Sequence, residues 1–239
     1  MAWCNVHFFG ESIQKHSAMN VLLPEGDGPF PVLVLLHGLS DDYSIWHRRT
    51  SIEQIVATMP LIVVMPDGHR SFYCNDPNPG GCAYEDHIVN DVVGFVDRTF
   101  PTVAEASGRA IGGLSMGGYG AMMLALRHPD VFSAVSAHSS AFHFTHRAIA
   151  GRADVSPYAA SFPAGKYDCF ALAESFAAGD AELAIRFDCG ADDGLLEANR
   201  DFHAHLDRLG IDHQYAEYPG AHTWEYWGEH IRDTLAFIK

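Results

Sequence analysis

The sequence predicts an α/β fold in which a mainly parallel central sheet carries helices on both faces. Residues 31–38 and 61–65 are continuous apolar runs, which are typical of strands buried on both faces of a parallel sheet. Segments with helical periodicity alternate with such runs along the chain. The 239 residues are 48% hydrophobic and 19% charged, and no repeat or flexible linker divides them. Residues 1–239 are therefore expected to form a single domain.

The individual elements follow from the apolar pattern and from the Gly and Pro positions between them. Strands are expected at 3–9, 17–23, 31–38, 61–65, 109–114, 131–137, 184–189 and 213–218. Helices are expected at 51–59, 84–99, 119–128, 195–209 and 224–238. The remaining long segment scatters aromatic residues among Ala, Ser, Gly and Pro without a clear period. This composition predicts a small cap insertion of short helices at about 139–180.

The charge balance restricts the class of partner. With 15 basic and 30 acidic residues the formal net charge is −15, which argues against nucleic acid or an anionic membrane, since both require basic patches. No apolar run approaches the roughly 18 residues of a membrane span. Residues 1–7 lack the basic and apolar regions of a signal peptide, so a cytoplasmic protein is expected.

Five cysteines at irregular spacings favour reduced thiols. Cys74 and Cys82 flank a loop rich in Asn, Pro and Gly, and a disulfide between them is an open alternative. No C-x-x-C or H-E-x-x-H spacing occurs, so neither a metal nor a cofactor is expected.

The chemistry is concentrated at a G-x-S-x-G pattern, Gly113 to Gly117, which lies between an expected strand and an expected helix. In this arrangement a strained turn holds a serine hydroxyl out over the edge of the sheet. A side chain two positions before or after the serine would crowd a turn in which backbone runs close to backbone. Ser115 is therefore the candidate nucleophile.

A serine nucleophile needs a base, because its hydroxyl is a weak acid at neutral pH. Downstream of Ser115, Asp192 and Asp193 follow the end of one expected strand, and His222 follows the end of the next. Serine, acid and histidine in this chain order suit a nucleophile, an orienting carboxylate and a general base. His222 is the candidate base, and the residues themselves leave the choice between the two aspartates open.

Backbone N–H groups are expected to stabilise the oxyanion. The first is that of Met116, directly after the nucleophile. The second is that of Leu39, in the loop after the strand 31–38, where the neighbouring Gly38 lets the backbone approach a substrate oxygen. A simple turn at the end of the strand is the alternative for this loop.

Three motifs together resemble those of the esterase D-type putative esterases: residues 36–39 (Leu-His-Gly-Leu), residues 113–121 (Gly-Leu-Ser-Met-Gly-Gly-Tyr-Gly-Ala) and residues 219–224 (Pro-Gly-Ala-His-Thr-Trp). The resemblance extends over nearly the whole chain and implies an α/β-hydrolase fold. It also implies that Asp193 is the acid, since the family's Gly-x-x-Asp pattern with an Asn six residues later matches Gly190 to Asp193 and Asn199. Leu39 and Met116 match the family's oxyanion positions.

The resemblance implies a serine carboxylesterase that hydrolyses short-chain acyl esters, with aryl or feruloyl esters as an option. The compact bacterial tributyrin and cinnamoyl esterases are the most similar members, and such enzymes often form homo-oligomers. An S-formylglutathione hydrolase-like thioesterase or an acyltransferase is the alternative, and a non-catalytic binding protein on the same fold is a more distant one. Either enzyme would take a small-molecule substrate.

Aromatic residues near the motifs are candidates for the substrate pocket. Trp46, Tyr73, Phe142 and Trp224 are predicted to line it, together with the less specific Phe144 and Phe162. Packing in the core or the cap is an equal alternative for each, because aromatic residues of such folds are mostly buried.

Overall fold

The computed structural model of the protein describes residues 1–146 and 165–238. This part of the chain forms an eight-stranded sheet with the strand order β1-β2-β4-β3-β5-β6-β7-β8. The strands are β1 Ala2–Gly10, β2 Lys15–Leu23, β3 Val32–Leu36, β4 Ile62–Pro66, β5 Arg109–Leu114, β6 Ala134–His138, β7 Ala184–Gly190 and β8 Gln214–Tyr218. Strands β1 and β2 pair antiparallel with each other and β2 with β4, whereas all the pairs from β4 to β8 are parallel. The predicted mainly parallel sheet is confirmed.

Helices cover both faces of this sheet. The helices are α1 Ile45–Arg49, α2 Ile52–Val56, α3 Tyr84–Asp86, α4 Val93–Thr99, α5 Met116–Arg127, α6 His143–His146, α7 Cys169–Ala177, α8 Leu196–Leu209 and α9 Trp224–Phe237. A π-helical stretch, His87–Val92, joins α3 to α4 within the single helix expected at 84–99. The helix expected at 51–59 is shorter than predicted, and the strand expected from residue 131 begins only at Ala134, because residues 128–132 form a hydrogen-bonded turn.

Alternation along the central strands creates two hydrophobic cores, one on each face. Successive side chains of a strand point to opposite faces. In β3, Val32, Val34 and Leu36 join the core under α4, α5, α7 and α8. Leu33 and Leu35 join the core under α1, α2 and α9. Because both faces are covered, β3 is apolar throughout, which is why the run 31–38 could be recognised in the sequence.

The segment expected to form a cap at 139–180 is only partly a separate feature. Helix α7 packs against α5 and α8, and its Phe170 and Ala173 belong to the core on that face. It is therefore the crossover helix between β6 and β7, and it packs on the sheet as part of the core on that face. Residues 147–164, including Phe162, lie outside the described residues, and the cap remains a prediction there.

All five cysteines are free thiols, so Cys74 and Cys82 do not pair. Cys74 is buried and Cys82 is partly exposed. Within residues 1–146 and 165–238, none of the helices combines the length and the apolar character needed to cross a membrane.

A buried carboxylate ties α3 to the end of α5. Glu85 is 2% exposed. Its oxygens accept hydrogen bonds from Arg127 Nε at 2.7 Å, from His128 Nε2 at 2.8 Å and from the Tyr167 hydroxyl at 3.0 Å. Burial raises the pKa of Glu85. The hydrogen bonds from His128 and Arg127 and the charge of Arg127 outweigh burial and lower this pKa from 4.5 to about 2.

This pKa predicts a loss of stability in acid. The contribution of Glu85 is fully present above the unfolded-state pKa of 4.5 and is lost as the pH falls from there to about 2, because the unfolded state then binds the proton more readily. We expect Glu85→Gln to lower the urea midpoint at pH 7 and to flatten its decline between pH 5 and pH 3, relative to the wild type. The exposed Glu182→Gln serves as the control. Parallel pH profiles for the wild type and Glu85→Gln would contradict the assignment.

Candidate active site

Ser115 occupies a strained turn between β5 and α5. Its φ of 54° and ψ of −114° lie in a region that L-residues rarely adopt. The backbone is fixed on both sides, since Ser115 N–H donates to the His138 carbonyl at 2.9 Å and Ala141 N–H donates to the Ser115 carbonyl at 3.2 Å. The neighbouring strand β6 therefore holds the turn and presents the hydroxyl at the carboxyl edge of the sheet.

The two glycines of the motif are required by close backbone contacts. A Cβ on Gly113 would lie 2.6 Å from the Gly117 carbonyl oxygen. A Cβ on Gly117 would lie 2.6 Å from the carbonyl oxygens of both Leu36 and His37, at the end of β3. Such distances are well below van der Waals contact, which confirms the steric reason given for these glycines.

A chain of two hydrogen bonds links the serine to a histidine and an aspartate. Ser115 Oγ lies 3.0 Å from His222 Nε2, and His222 Nδ1 lies 2.8 Å from Asp193 Oδ2. Asp193 is 6% exposed, and its second oxygen accepts from the Leu195 N–H at 2.8 Å. The side chain of Asp192 is exposed, so the structure places Asp193 against the histidine.

The loops that carry Asp193 and His222 are tied together by main-chain hydrogen bonds. Ala191 N–H donates to the Tyr218 carbonyl and Asp192 N–H to the Gly220 carbonyl, both at 2.8 Å. The contact is so close that a Cβ on Gly190 would collide with the Gly220 carbonyl. These main-chain contacts between the two loops fix the position of Asp193 relative to His222.

The surroundings of Asp193 keep it ionised. Burial raises its pKa, but hydrogen bonds from His222, from the Leu195 N–H and from the Ser139 hydroxyl outweigh that effect and lower the pKa below its usual value. Ser139 in turn accepts a hydrogen bond from the Trp227 indole N–H at 3.1 Å. An ionised carboxylate facing Nδ1 favours the tautomer in which Nε2 can accept the serine proton.

Trp227 also supports the histidine ring. Its indole lies edge-on to His222, with ring centroids 4.8 Å apart at 90°. Neither Ser139 nor Trp227 was predicted as a site residue. Ser139 follows the end of β6, and Trp227 follows the motif at residues 219–224. Their contacts with Asp193 and His222 depend on the tertiary fold and could not be read from the sequence.

The two expected oxyanion N–H groups follow the ends of two neighbouring strands, β3 and β5. Met116 is the first residue of α5, where a helical N–H has no partner within the helix. Leu39 follows the end of β3 and lines the same groove as Ser115. No acceptor among the described residues takes a hydrogen bond from either N–H. Both donors are thus free for a substrate oxygen.

Tyr73 fixes the strand end that precedes Leu39. Its hydroxyl accepts from the His37 N–H and donates to the His37 carbonyl, both at 3.0 Å. The His37 ring is fixed as well, because its Nε2 accepts from the Gly68 N–H at 2.8 Å. Tyr73 is fully buried, so the prediction that it lines the substrate pocket is wrong.

Two further pocket predictions are wrong for a similar reason. Trp46 is 1% exposed and donates its indole N–H to the Leu36 carbonyl at 3.0 Å. Phe142 is fully buried and packs against Phe187 and Phe202. These rings fill the cores of the two faces instead of facing substrate. Phe144 is likewise 2% exposed.

Trp224 does lie at the site, where it lines an open groove of about 570 Å³ that contains Ser115 and His222. Its ring packs edge-on against Trp46 and Trp227, with centroids 5.3 Å and 5.2 Å apart. The other lining residues are Gly38, Leu39, Ser40, Asp41, Arg49, Leu114, Thr223, Glu225 and Trp227. Apolar side chains therefore lie close to the serine together with a few charged groups, a composition that suits a small organic substrate.

A buried charged cluster lies behind the site. Asp188, at the carboxyl end of β7, is fully buried. It accepts from Arg186 Nη1 at 2.6 Å and from the Tyr226 hydroxyl at 2.8 Å, and it lies 2.8 Å from His138 Nδ1. Burial raises the pKa of Asp188, but the charge and hydrogen bonding of His138 and the charge of Arg186 lower it well below its usual value. The cluster joins β6, β7 and α9 beneath the loops that carry Ser115, Asp193 and His222.

Comparison with known proteins agrees with this geometry. The profile of a family described as putative esterases matches residues 10–238. An acetyl esterase of Caldicellulosiruptor saccharolyticus is 27% identical over 267 aligned residues, which cover 100% of this chain and 98% of the relative.

Solved structures show the same similarity. An S-formylglutathione hydrolase from Staphylococcus aureus superposes with a TM-score of 0.89 at 28% identity, covering 99% of this chain and 98% of that one. A ferulic acid esterase superposes with a TM-score of 0.85 at 25% identity, covering 99% and 97%. The resemblance expected from the motifs is confirmed: the chain belongs to the putative esterase family and is a carboxylic ester hydrolase with an α/β-hydrolase fold.

Proposed function

We propose that this protein is a serine carboxylesterase that hydrolyses short-chain acyl esters through an acyl-enzyme on Ser115. The observation that carries the proposal is the continuous chain of hydrogen bonds from Ser115 Oγ through His222 to Asp193. A serine hydroxyl becomes an effective nucleophile when a base lies within hydrogen-bonding distance and a third group orients that base.

In the first half-reaction His222 Nε2 accepts the proton of Ser115 as Oγ attacks the ester carbonyl carbon. The carbonyl oxygen becomes an oxyanion that accepts hydrogen bonds from the Leu39 and Met116 N–H groups. Asp193 holds the ring through Nδ1–H and stabilises the imidazolium. The tetrahedral intermediate collapses, the ester C–O bond breaks, and the alcohol leaves with the proton that His222 had taken.

In the second half-reaction water replaces the alcohol. His222 Nε2 removes a proton from the water, whose oxygen attacks the acyl carbon, and the same two N–H groups bind the second oxyanion. Collapse releases the carboxylic acid and returns the proton to Ser115 Oγ. The protein is restored and no cofactor is consumed.

The apolar lining of the groove supports an acyl ester as the substrate. Leu39, Leu114, Trp224 and Trp227 provide apolar walls close to Ser115 within the volume of about 570 Å³. A similar relative carries the name acetyl esterase, which supports the same class. The ferulic acid esterase among the structural neighbours supports an aromatic acyl group as the second option, and the S-formylglutathione hydrolase supports a thioester.

The acyl-enzyme is the direct test of this proposal. The protein is mixed with p-nitrophenyl acetate, quenched in acid during turnover and digested, and the modified peptide is identified by mass spectrometry. We expect a single acetylated residue, Ser115, in the wild type and none in Ser115→Ala. The variant Ser175→Ala removes an exposed hydroxyl on α7 and is expected to be labelled like the wild type. Turnover by Ser115→Ala at the wild-type rate, or acylation at another residue, would refute the proposal.

A substrate panel separates the three ester classes. The kcat/KM values are compared for p-nitrophenyl acetate, butyrate and octanoate, for methyl ferulate and for S-formylglutathione. The highest value is expected for acetate or butyrate, and added alcohols are expected to divert little of the acyl group. A preference for S-formylglutathione would replace the ester assignment by the thioester one while leaving the role of Ser115 intact.

A further inference from the structure

Two histidines and an aspartate converge at a point that the esterase reaction does not use. His203 and Asp207 are four residues apart on α8 and therefore lie on one face of that helix. The chain then turns at Gly210, which has a φ of 69°, and returns with His213 immediately before β8. One donor atom from each of His203, Asp207 and His213 lies within 4.8 Å of the others.

The tautomer of His213 leaves a lone pair facing this cluster. Its Nδ1 donates to the Ile211 carbonyl at 2.8 Å, so its Nε2 is an acceptor in the neutral ring. A ligating imidazole in a metal site is oriented in the same way, by a hydrogen bond from its other ring nitrogen to a carbonyl.

The side chains of His203, Asp207 and His213 contain more hydrogen-bond acceptors than hydrogen-bond donors. His213 Nε2 lies 2.7 Å from His203 Nδ1, and the Asp207 oxygens lie 3.9 Å from His213 Nε2 and 3.6 Å from His203 Nε2. With neutral imidazoles, His203 has one N–H for two neighbouring acceptors, the imidazole of His213 and the carboxylate of Asp207. A metal ion placed between the three side chains interacts with all of these acceptors at once.

The His213 ring is buried and held in place, whereas the His203 ring and the Asp207 carboxylate are more exposed and can adjust. The His213 side chain is 3% exposed and stacks on Phe187, with centroids 5.7 Å apart. The His203 ring stacks on Tyr215 at 4.6 Å. Asp207 is 61% exposed. Ligands of a tetrahedral Zn²⁺ lie about 3.3 Å apart when each bond is about 2.0–2.1 Å long. The three candidate ligand atoms lie within 4.8 Å of one another, so the exposed His203 ring and the Asp207 side chain need to move by up to about 1.5 Å to reach this spacing.

We propose that His203, Asp207 and His213 form a binding site for a divalent transition metal ion, with Zn²⁺ as the natural occupant. Two imidazole nitrogens and one carboxylate oxygen are the ligand types that Zn²⁺ prefers, and the exposed side of the site leaves a position for water. Ni²⁺ and Cu²⁺ fit the same donor set, whereas Ca²⁺ and Mg²⁺ prefer oxygen ligands alone.

The role that we assign to this metal site is to stabilise the fold and not to take part in ester hydrolysis. It joins the last turn of α8 to the beginning of β8, whereas the groove with Ser115 lies beyond the end of β8. The five residues of β8 span about 17 Å, which separates the two sites. A metal ion there clips a helix to an edge strand of the sheet and stabilises the folded state without contacting the ester.

Isothermal titration of the EDTA-treated, tag-free protein with Zn²⁺ tests the proposal. We expect one equivalent to bind and to raise the thermal midpoint, with a visible absorption band typical of tetrahedral Co²⁺ when Co²⁺ is used instead. His203→Ala and His213→Ala are each expected to weaken binding by about tenfold or more, since even the loss of a residue that only supports a ligand costs that much. His16→Ala, which removes an exposed histidine elsewhere, is the control and is expected to bind like the wild type.

Asp207→Asn covers the case in which the buried His213 cannot be replaced without unfolding. Asp207 is exposed, so this variant is expected to fold and still to bind Zn²⁺ more weakly than the wild type. The proposal is overturned if Zn²⁺ does not bind, or if His203→Ala and Asp207→Asn bind it as the wild type does. Esterase activity is measured in parallel, and its presence or absence does not affect either outcome.

Discussion

Replacing Ser115 with alanine is expected to lower kcat/KM for p-nitrophenyl acetate by on the order of 10⁵- to 10⁶-fold. The reason is the position of Oγ, 3.0 Å from His222 Nε2 and next to the free N–H of Met116. Without Oγ no acyl-enzyme forms, and only the residual effect of the oxyanion donors and of substrate binding remains. Initial rates over a range of substrate concentrations measure this loss.

Two further variants show whether the loss comes from the proposed chemistry. His222→Ala is expected to lose nearly as much as Ser115→Ala, and the double variant little more, because residues that act as a unit are not additive. The thermal midpoints should remain close to that of the wild type, since Ser115→Ala keeps the backbone hydrogen bonds of the turn. A loss of less than about tenfold in Ser115→Ala would contradict the assignment.

Replacing Asp188 with alanine is expected to lower the free energy of unfolding by about 3–5 kcal/mol. Asp188 is fully buried and Arg186 is 5% exposed, so the substitution removes the nearer carboxylate of the guanidinium and leaves it only Asp233, 3.5 Å from Nη2. The Tyr226 hydroxyl also loses its acceptor, which adds an unsatisfied buried group. Urea denaturation followed by circular dichroism measures the change at neutral pH.

Asp192→Ala is the matched control for Asp188→Ala. Asp192 is an aspartate four residues further on, but its side chain is exposed, so its removal is expected to change the free energy of unfolding by about 0.5 kcal/mol or less. If Asp188→Ala costs no more than Asp192→Ala, the buried cluster is not a major source of stability. Asp188→Asn, which keeps the shape of the side chain, should lie between the two.

The strands and the candidate site residues could be predicted because their signals are local. A strand buried on both faces is apolar throughout, as β3 is, and the glycines of the elbow are required by contacts within a few residues and with one neighbouring strand. Ser115, Asp193 and His222 each follow the carboxyl end of a strand, and in a parallel sheet these ends meet at one edge.

The aromatic residues could not be assigned from the sequence. Trp46, Tyr73 and Trp224 are all near recognisable motifs, and nothing in the local sequence shows which of them faces the groove. The hydroxyl of Tyr73 forms hydrogen bonds with the backbone N–H and the carbonyl of His37, which lies 36 residues earlier. It can do so only because the loop after β4 folds back over the end of β3.

The buried cluster and the crossover helix were missed for related reasons. His138 and Asp188 are 50 residues apart in the chain and become neighbours only through the pairing of β6 with β7. Helix α7 is nine residues long, with Cys169, Phe170 and Ala173 buried. So few residues give a weak helical period, and the adjoining aromatic residues obscured it.

The two kinds of contact around the elbow set different limits on engineering. The elbow that carries Ser115 is built from main chain against main chain, where Gly117 meets the carbonyls of Leu36 and His37, so a library has no alternative residue to sample there. The rim consists of side chains such as Arg49, Trp224 and Glu225, which can vary without moving the backbone. Directed evolution of substrate preference therefore belongs at the rim, and the elbow is the part to leave unmutated.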